Sequence, residues 1–175
     1  MRKSPACGKP KNVGCNFIMT YIITKSDKLE FHTDLKNLLK PILSYIANYN
    51  WLLTNQDYLI YDYDQKGGIK QLNFEDKKIK FSGIQFSNMV TERNVQFVWG
   101  VFCAFNNEIP NIKLEELPFA DCNPNIWEKP LEFLNEESEI EIICFDGTST
   151  IIKFKDKEIE KKFVEYFPEA KLLTK

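Results

Sequence analysis

Val95-Gln96-Phe97-Val98-Trp99-Gly100-Val101-Phe102-Cys103-Ala104-Phe105 is an eleven-residue run of β-branched, aromatic and small side chains in which Gln96 is the polar exception. Successive side chains of a strand point to opposite faces, so a strand that is apolar on both faces belongs to a sheet covered on both sides. The run therefore predicts a long central strand in a layered domain. Gly100, inside it, would permit a bulge or a close backbone approach.

Downstream, Glu139 to Phe145 and Thr150 to Phe154 are two further apolar strands, joined through Asp146-Gly147-Thr148-Ser149. Asp-Gly suits a tight hairpin turn. Residues 157–167 then place Ile159, Phe163, Val164 and Phe167 on one helical face, with Asp156 as cap and Pro168 as terminator. Upstream, Phe17 to Ile23 reads as a first strand. Leu35, Leu38, Leu39, Ile42, Ile46 and Tyr49 recur at helical spacing behind a Thr33 or Asp34 cap, and Pro41 either kinks that helix or divides it in two. Trp51 to Thr54 and Tyr58 to Asp64 read as two strands with a short separation. Lys78 to Phe86 alternates like a strand, and Phe86 to Val90 fits a short helix or an irregular crossing. The expected fold is α+β: a mostly antiparallel or mixed central sheet packed against an N-terminal helix region and a C-terminal helix. Regular strand-helix alternation, the mark of a doubly wound nucleotide-binding fold, is missing.

With 43% hydrophobic and 14% aromatic residues, the 175-residue chain has enough apolar material for a core without disulfides. Residues 17–175 read as a single domain with a long proline-rich connection at 106–137, and residues 1–16 as a flexible basic leader. Arg2, Lys3, Lys9 and Lys11 give that leader a charge of +4, so the formal net charge of -2 leaves -6 on the body. An acidic body disfavours a nucleic-acid partner. No apolar run has the length of a membrane span or a secretory signal, which leaves cytoplasmic residence as the expectation. Five scattered cysteines without a C-x-x-C pair read as reduced thiols. Cys103 and Cys144 sit in strand-like apolar runs, whereas Cys122 falls in a loop beside Asp121, which opposes thiolate formation.

His32 is the sole histidine, which excludes histidine-cluster metal sites and most nucleophile-base triads. Phosphate-binding glycine loops are also missing, and Gly67-Gly68 does not make one. No cofactor and no metal ligand set is expected. Asp62 and Asp64, on one face of a strand, are the local candidates for a carboxylate-dependent hydrolase with a divalent metal, the alternative enzymatic reading. A structural or regulatory domain that self-associates through a sheet edge is a third.

The leading functional region is the segment 106–137, divided by Pro110, Pro118, Pro124 and Pro130. Leu114, Leu117, Phe119, Ile126, Trp127, Leu131 and Phe133 are its apolar anchors. Glu115, Glu116, Asp121 and Glu128, with Trp127 as aromatic contact, are the candidate protein-binding residues, because rigid aromatic area and carboxylates together suit a basic protein surface. The bland counterpart is a long loop sealed onto the sheet. A small acidic body with surface aromatics and no catalytic constellation resembles the class of bacterial toxin-neutralising immunity proteins. That resemblance implies a non-catalytic inhibitor of a basic toxin and assigns no role to any individual residue. A monomer without its partner is expected separately, because the proline-rich segment has enough material to cover one sheet edge or face.

Overall fold

A computed structural model describes residues 18–60, 76–92 and 95–174. The basic leader, Asp62, Asp64 and Gly67-Gly68 lie outside the described residues. Seven strands form one sheet: β1 (Met19–Ile23), β2 (Asn50–Ile60), β3 (Lys78–Phe81), β4 (Val95–Phe105), β5 (Ile140–Phe145), β6 (Ser149–Phe154) and β7 (Lys171–Leu172). Their order is β3-β2-β4-β5-β6-β1-β7, and every neighbouring pair is antiparallel. The helices are α1 (Leu35–Leu38), α2 (Leu43–Ile46), α3 (Gly83–Glu92), α4 (Asn125–Glu128) and α5 (Lys157–Tyr166). The result is the α+β architecture expected from the apolar patterning, with β4 an interior strand, third in the order.

Alternation along the strands divides the core in two. On one face Trp51, Leu53, Phe102, Ile142, Ile152 and Phe154 pack beneath α1, α2, α3 and α5. Trp51 stacks on Phe86 of α3 with ring centroids 4.2 Å apart, and its indole donates to the Ile46 carbonyl at 2.8 Å, so the largest buried side chain also has its polar atom satisfied. On the opposite face Leu52, Val101, Cys103, Phe105, Ile143 and Ile151 meet Ala120 and Ile126 of the proline-rich connection.

Local chemistry explains the helix ends. The Asp34 carboxylate accepts from the Asn37 amide at 3.2 Å at the start of α1, while the Thr33 hydroxyl donates to the Phe97 carbonyl and ties the loop to β4. Pro41 sits in a 3-10 turn (Lys40–Ile42) that separates α1 from α2, so the apolar stripe is divided rather than kinked. Asp156 caps α5 through the amides of Glu158 and Ile159. The strand-like alternation beyond Phe81 gives way to α3 because Ser82 and Gln85 form a reciprocal capping box: the Gln85 amide donates to the Ser82 hydroxyl at 3.3 Å and the Ser82 amide to Gln85 Oε1 at 2.8 Å.

The two expected strands at Trp51–Thr54 and from Tyr58 onward are one strand, β2. Between Thr54 and Asp57 the register slips, with Asn55 and Gln56 opposite Gly100 of β4. Asn55 has φ 50°, a left-handed conformation that asparagine tolerates better than most residues. A second slip, between Asp57 and Tyr58, leaves Val98 extra on β4. The β5-β6 hairpin turns through Asp146 and Gly147, both at positive φ, as the sequence pair demands.

Gly83 has a different reason to be glycine. A Cβ there would lie 2.1 Å from the Ala47 carbonyl oxygen and 2.7 Å from that of Tyr49, both backbone atoms just beyond α2. Gly83→Ala must push α3 away from α2 and unstack Phe86 from Trp51, so it should lower stability by about 2 kcal/mol or more. A wild-type urea midpoint for this variant would show that α2 and α3 do not approach so closely.

Candidate functional site

The connection between β4 and β5 is a cover on the sheet, held by side chains that reach from the strands to its backbone. Thr54 donates to the Pro118 carbonyl at 2.6 Å, and Asn55, turned by the bulge, accepts from the amides of Ala120 at 2.6 Å and Asp121 at 3.0 Å. At the other end of the sheet Thr20 donates to the Pro130 carbonyl at 2.6 Å.

Between these anchors lies a fully buried ion pair. Register places Cys103, Glu141, Lys153 and Thr20 in one row across β4, β5, β6 and β1, on the covered face. Lys153 Nζ is 2.9 Å from Glu141 Oε1, and both side chains have no exposed area. The ammonium also donates to the Glu132 carbonyl at 2.6 Å; the second carboxylate oxygen accepts from the Leu134 amide at 2.8 Å and the Asn135 amide at 3.4 Å. Burial pushes the Glu141 carboxyl above its ordinary range, opposed by Lys153 and these two amides. Burial also raises the Cys103 thiol well above its usual range, and the Glu141 charge adds to this, so Cys103 is a packed thiol rather than a nucleophile.

The outer side of the cover carries the candidate residues. Glu115 and Glu116 lie in a 3-10 turn (Leu114–Glu116) and line a cleft of about 280 Å³ with Phe119, Lys129, Glu132 and Phe133. A second depression, of about 430 Å³, opens across the Leu117–Phe119 ridge toward Asn55 and Lys77. Asp121, Trp127 and Glu128 are exposed but do not line the cleft; the structure thus brings Glu115 and Glu116 together and leaves the other three beside them on the same segment. Trp127 is 44% exposed, and its ring meets Phe145 edge-on at 5.0 Å. Phe145 meets Trp99 at 4.9 Å in the same manner, so a chain of three aromatic rings runs from the sheet to the surface and holds Trp127 in place.

Among the described residues six large hydrophobic side chains are exposed, and four of them, Leu114, Phe119, Trp127 and Leu131, belong to this cover. Of the anchors expected from sequence, Ile126 and Phe133 point inward and these four outward. Residues 106–137 contain eight carboxylates and two lysines, a charge of -6, which is the whole net charge of the body. Both lysines are engaged, Lys113 with Glu116 and Lys129 with Glu132, each at 3.3 Å. Glu115, Asp121 and Glu128 face solvent with no cation in salt-bridge range among the described residues.

Elsewhere the candidates disperse. His32 is exposed, and its contribution is a backbone carbonyl that accepts from Thr150 at 2.9 Å. The described residues hold no group of three or more histidine, cysteine, aspartate or glutamate side chains arranged to bind a metal, and no helix among them is long and apolar enough to cross a membrane. Comparison of the chain with protein-family models, curated proteins and solved structures finds no match. The surface must be judged on its own geometry.

The residues that sequence reasoning missed are those that hold the cover. Their signal is visible: Glu141 and Lys153 are lone charges inside Ile140-Glu141-Ile142-Ile143 and Ile151-Ile152-Lys153-Phe154. Removing either partner strands the other as a buried charge, so Glu141→Gln and Lys153→Met should each cost about 3 kcal/mol or more, and the Glu141→Met/Lys153→Met pair should recover over half of either loss. Chemical denaturation of the four proteins decides this, and single losses under about 1 kcal/mol would mean the pair is solvated.

Cys122, exposed at φ 56°, differs from buried Cys103 and Cys144. A hydrogen bond to Asp121, with that carboxylate's charge, raises its thiol pKa. Of the three, Cys122 alone should react with a maleimide in the native protein, sluggishly at pH 7, and Asp121→Asn should speed it; peptide mass spectrometry measures both, and an unchanged rate would remove Asp121 as the cause.

Proposed function

We propose that this chain is a non-catalytic protein-binding module whose cover, residues 106–137, engages a protein with a basic surface. The observation that carries this reading is coincidence on one segment: the cover holds the body's entire net negative charge and four of the six exposed large hydrophobics. Scattered apolar side chains are normal on any surface, but fixed aromatic rings beside uncompensated carboxylates suit an interface with anchors at its centre and charge at its rim. Phe119 and the ring-buttressed Trp127 are the anchors. Glu115, Glu116, Asp121 and Glu128 steer and orient the basic partner, which makes association fast and sensitive to salt.

An inhibitor of a cationic bacterial toxin, of the immunity-protein kind, is the biological form this reading favours, acting in the cytoplasm and monomeric until its partner arrives. Such an inhibitor needs no chemistry of its own; it needs a rigid surface that occupies the partner's cationic site. Affinity capture followed by calorimetry of the captured pair tests it. Phe119→Ala or Trp127→Ala should weaken binding about tenfold or more. The triple change Glu115→Gln, Glu116→Gln, Asp121→Asn should mainly slow association and flatten its salt dependence. Binding that ignores all of these changes would place the interface elsewhere.

A further inference from the structure

We propose that residues 106–137 are a cover that lifts from the sheet as a unit, latched by the Glu141–Lys153 pair, and that its opening exposes the apolar sheet face around Cys103 while the helix-covered face stays closed. The hydrogen bonds carry this division. Outside its short helices, the cover's backbone-to-backbone bonds among the described residues close within the cover itself, from Ile112 to Pro110 through Trp127 to Pro124 to Ser138 to Asn135. The backbone first rejoins the sheet at Glu139, whose amide donates to the Ala104 carbonyl at 2.8 Å. Every bond described above that fastens the cover runs through a strand side chain. Lifting the cover therefore breaks no β-ladder and leaves its internal turns intact.

The two faces also differ in depth. Twenty-five buried residues form the cluster beneath the helices, including Trp51 and seven phenylalanines. The cluster beneath the cover has eight, of which only Ala120 and Ile126 come from the cover itself. Less apolar surface is exposed when the cover opens than when the helices do, so the opening free energy lies below that of global unfolding. Opened, the sheet would present Leu52, Val101, Phe105, Ile143 and Ile151 as a second apolar face.

One thiol on each side makes the difference measurable. Cys103 lies under the cover and Cys144 under the helices, on adjacent strands and equally inaccessible. Native-state labelling with a small aromatic disulfide, followed peptide by peptide through a series of low urea concentrations, should show Cys103 reacting faster than Cys144 and with a shallower urea dependence. Thr54→Val, which removes the bond to the Pro118 carbonyl, should raise the Cys103 rate roughly five-fold and leave Cys144 unchanged; Glu141→Gln should raise it further if that variant folds. Equal rates and equal urea slopes for the two cysteines in both wild type and Thr54→Val would overturn the cover as a separate unit, as would a Cys144 that reacts first. Partner binding plays no part in this assay, so its outcome is separate from that of the binding experiment.

Discussion

Glu141 and Lys153 put opposite charges into the middle of a sheet face with no water to solvate them, and the rest of that side of the molecule follows from the demand this creates. Desolvating two ions costs several kcal/mol each, and their mutual attraction offsets this only where the remaining bonding capacity is also filled. A lysine ammonium has three donors and a carboxylate has sites for about four. Neither partner can saturate the other. The Glu132 carbonyl and the amides of Leu134 and Asn135 supply further partners, and they do so only with the cover in its observed position. An apolar pair of similar size would bury the same area yet accept many placements of an irregular segment. The ion pair contributes specificity of position more than net stability.

That division of labour sets the two sides of the sheet apart. Helices satisfy their own backbones and can be held mainly by apolar packing, which is how α3 and α5 meet the sheet, with the Tyr21 hydroxyl donating to Glu160 of α5 as a polar addition. An irregular segment leaves amides and carbonyls that must find partners, and here polar strand residues supply them. The surface on which binding is proposed is consequently held in register by Thr20, Thr54, Asn55, Glu141 and Lys153, none of which reaches solvent with a charge. Any change to these buried groups would reach the outer face through the cover's backbone.

The parts of the fold that could be read from sequence are those whose signals are local. The alternation of Val95 to Phe105, the Asp146-Gly147 turn, the Asp156 cap and the break at Pro41 each express a short-range constraint that the tertiary structure did not override. The capping box at Ser82 and Gln85 was equally local, but apolar alternation from Lys78 competed with it. β2 could not be read as one strand because Asn55 and Gln56 look like a break when their partner, Gly100, is unknown; a bulge is a property of two strands. The candidate carboxylates and Trp127 were legible as polar and aromatic residues between prolines, whereas the residues that hold them in place were not, since a lone glutamate or lysine in an apolar strand declares its purpose only when register brings the two together. Which of the segment's apolar residues face outward depends on the sheet below it, information that no window along the chain contains.

The concentration of charge on the cover has one more consequence. From residue 17 onward the sequence outside 106–137 balances its acids and bases, so the body has one negative pole and a nearly neutral remainder. Such a molecule carries its excess negative charge on the cover side of the sheet, opposite the face packed beneath α1, α2, α3 and α5. In the field of a cationic partner of the kind proposed, that asymmetry would exert a torque as well as an attraction and would turn the cover toward the partner. Orientation is ordinarily the slow part of a protein encounter, the search through many unproductive faces. Here the electrostatics would shorten that search before any contact forms.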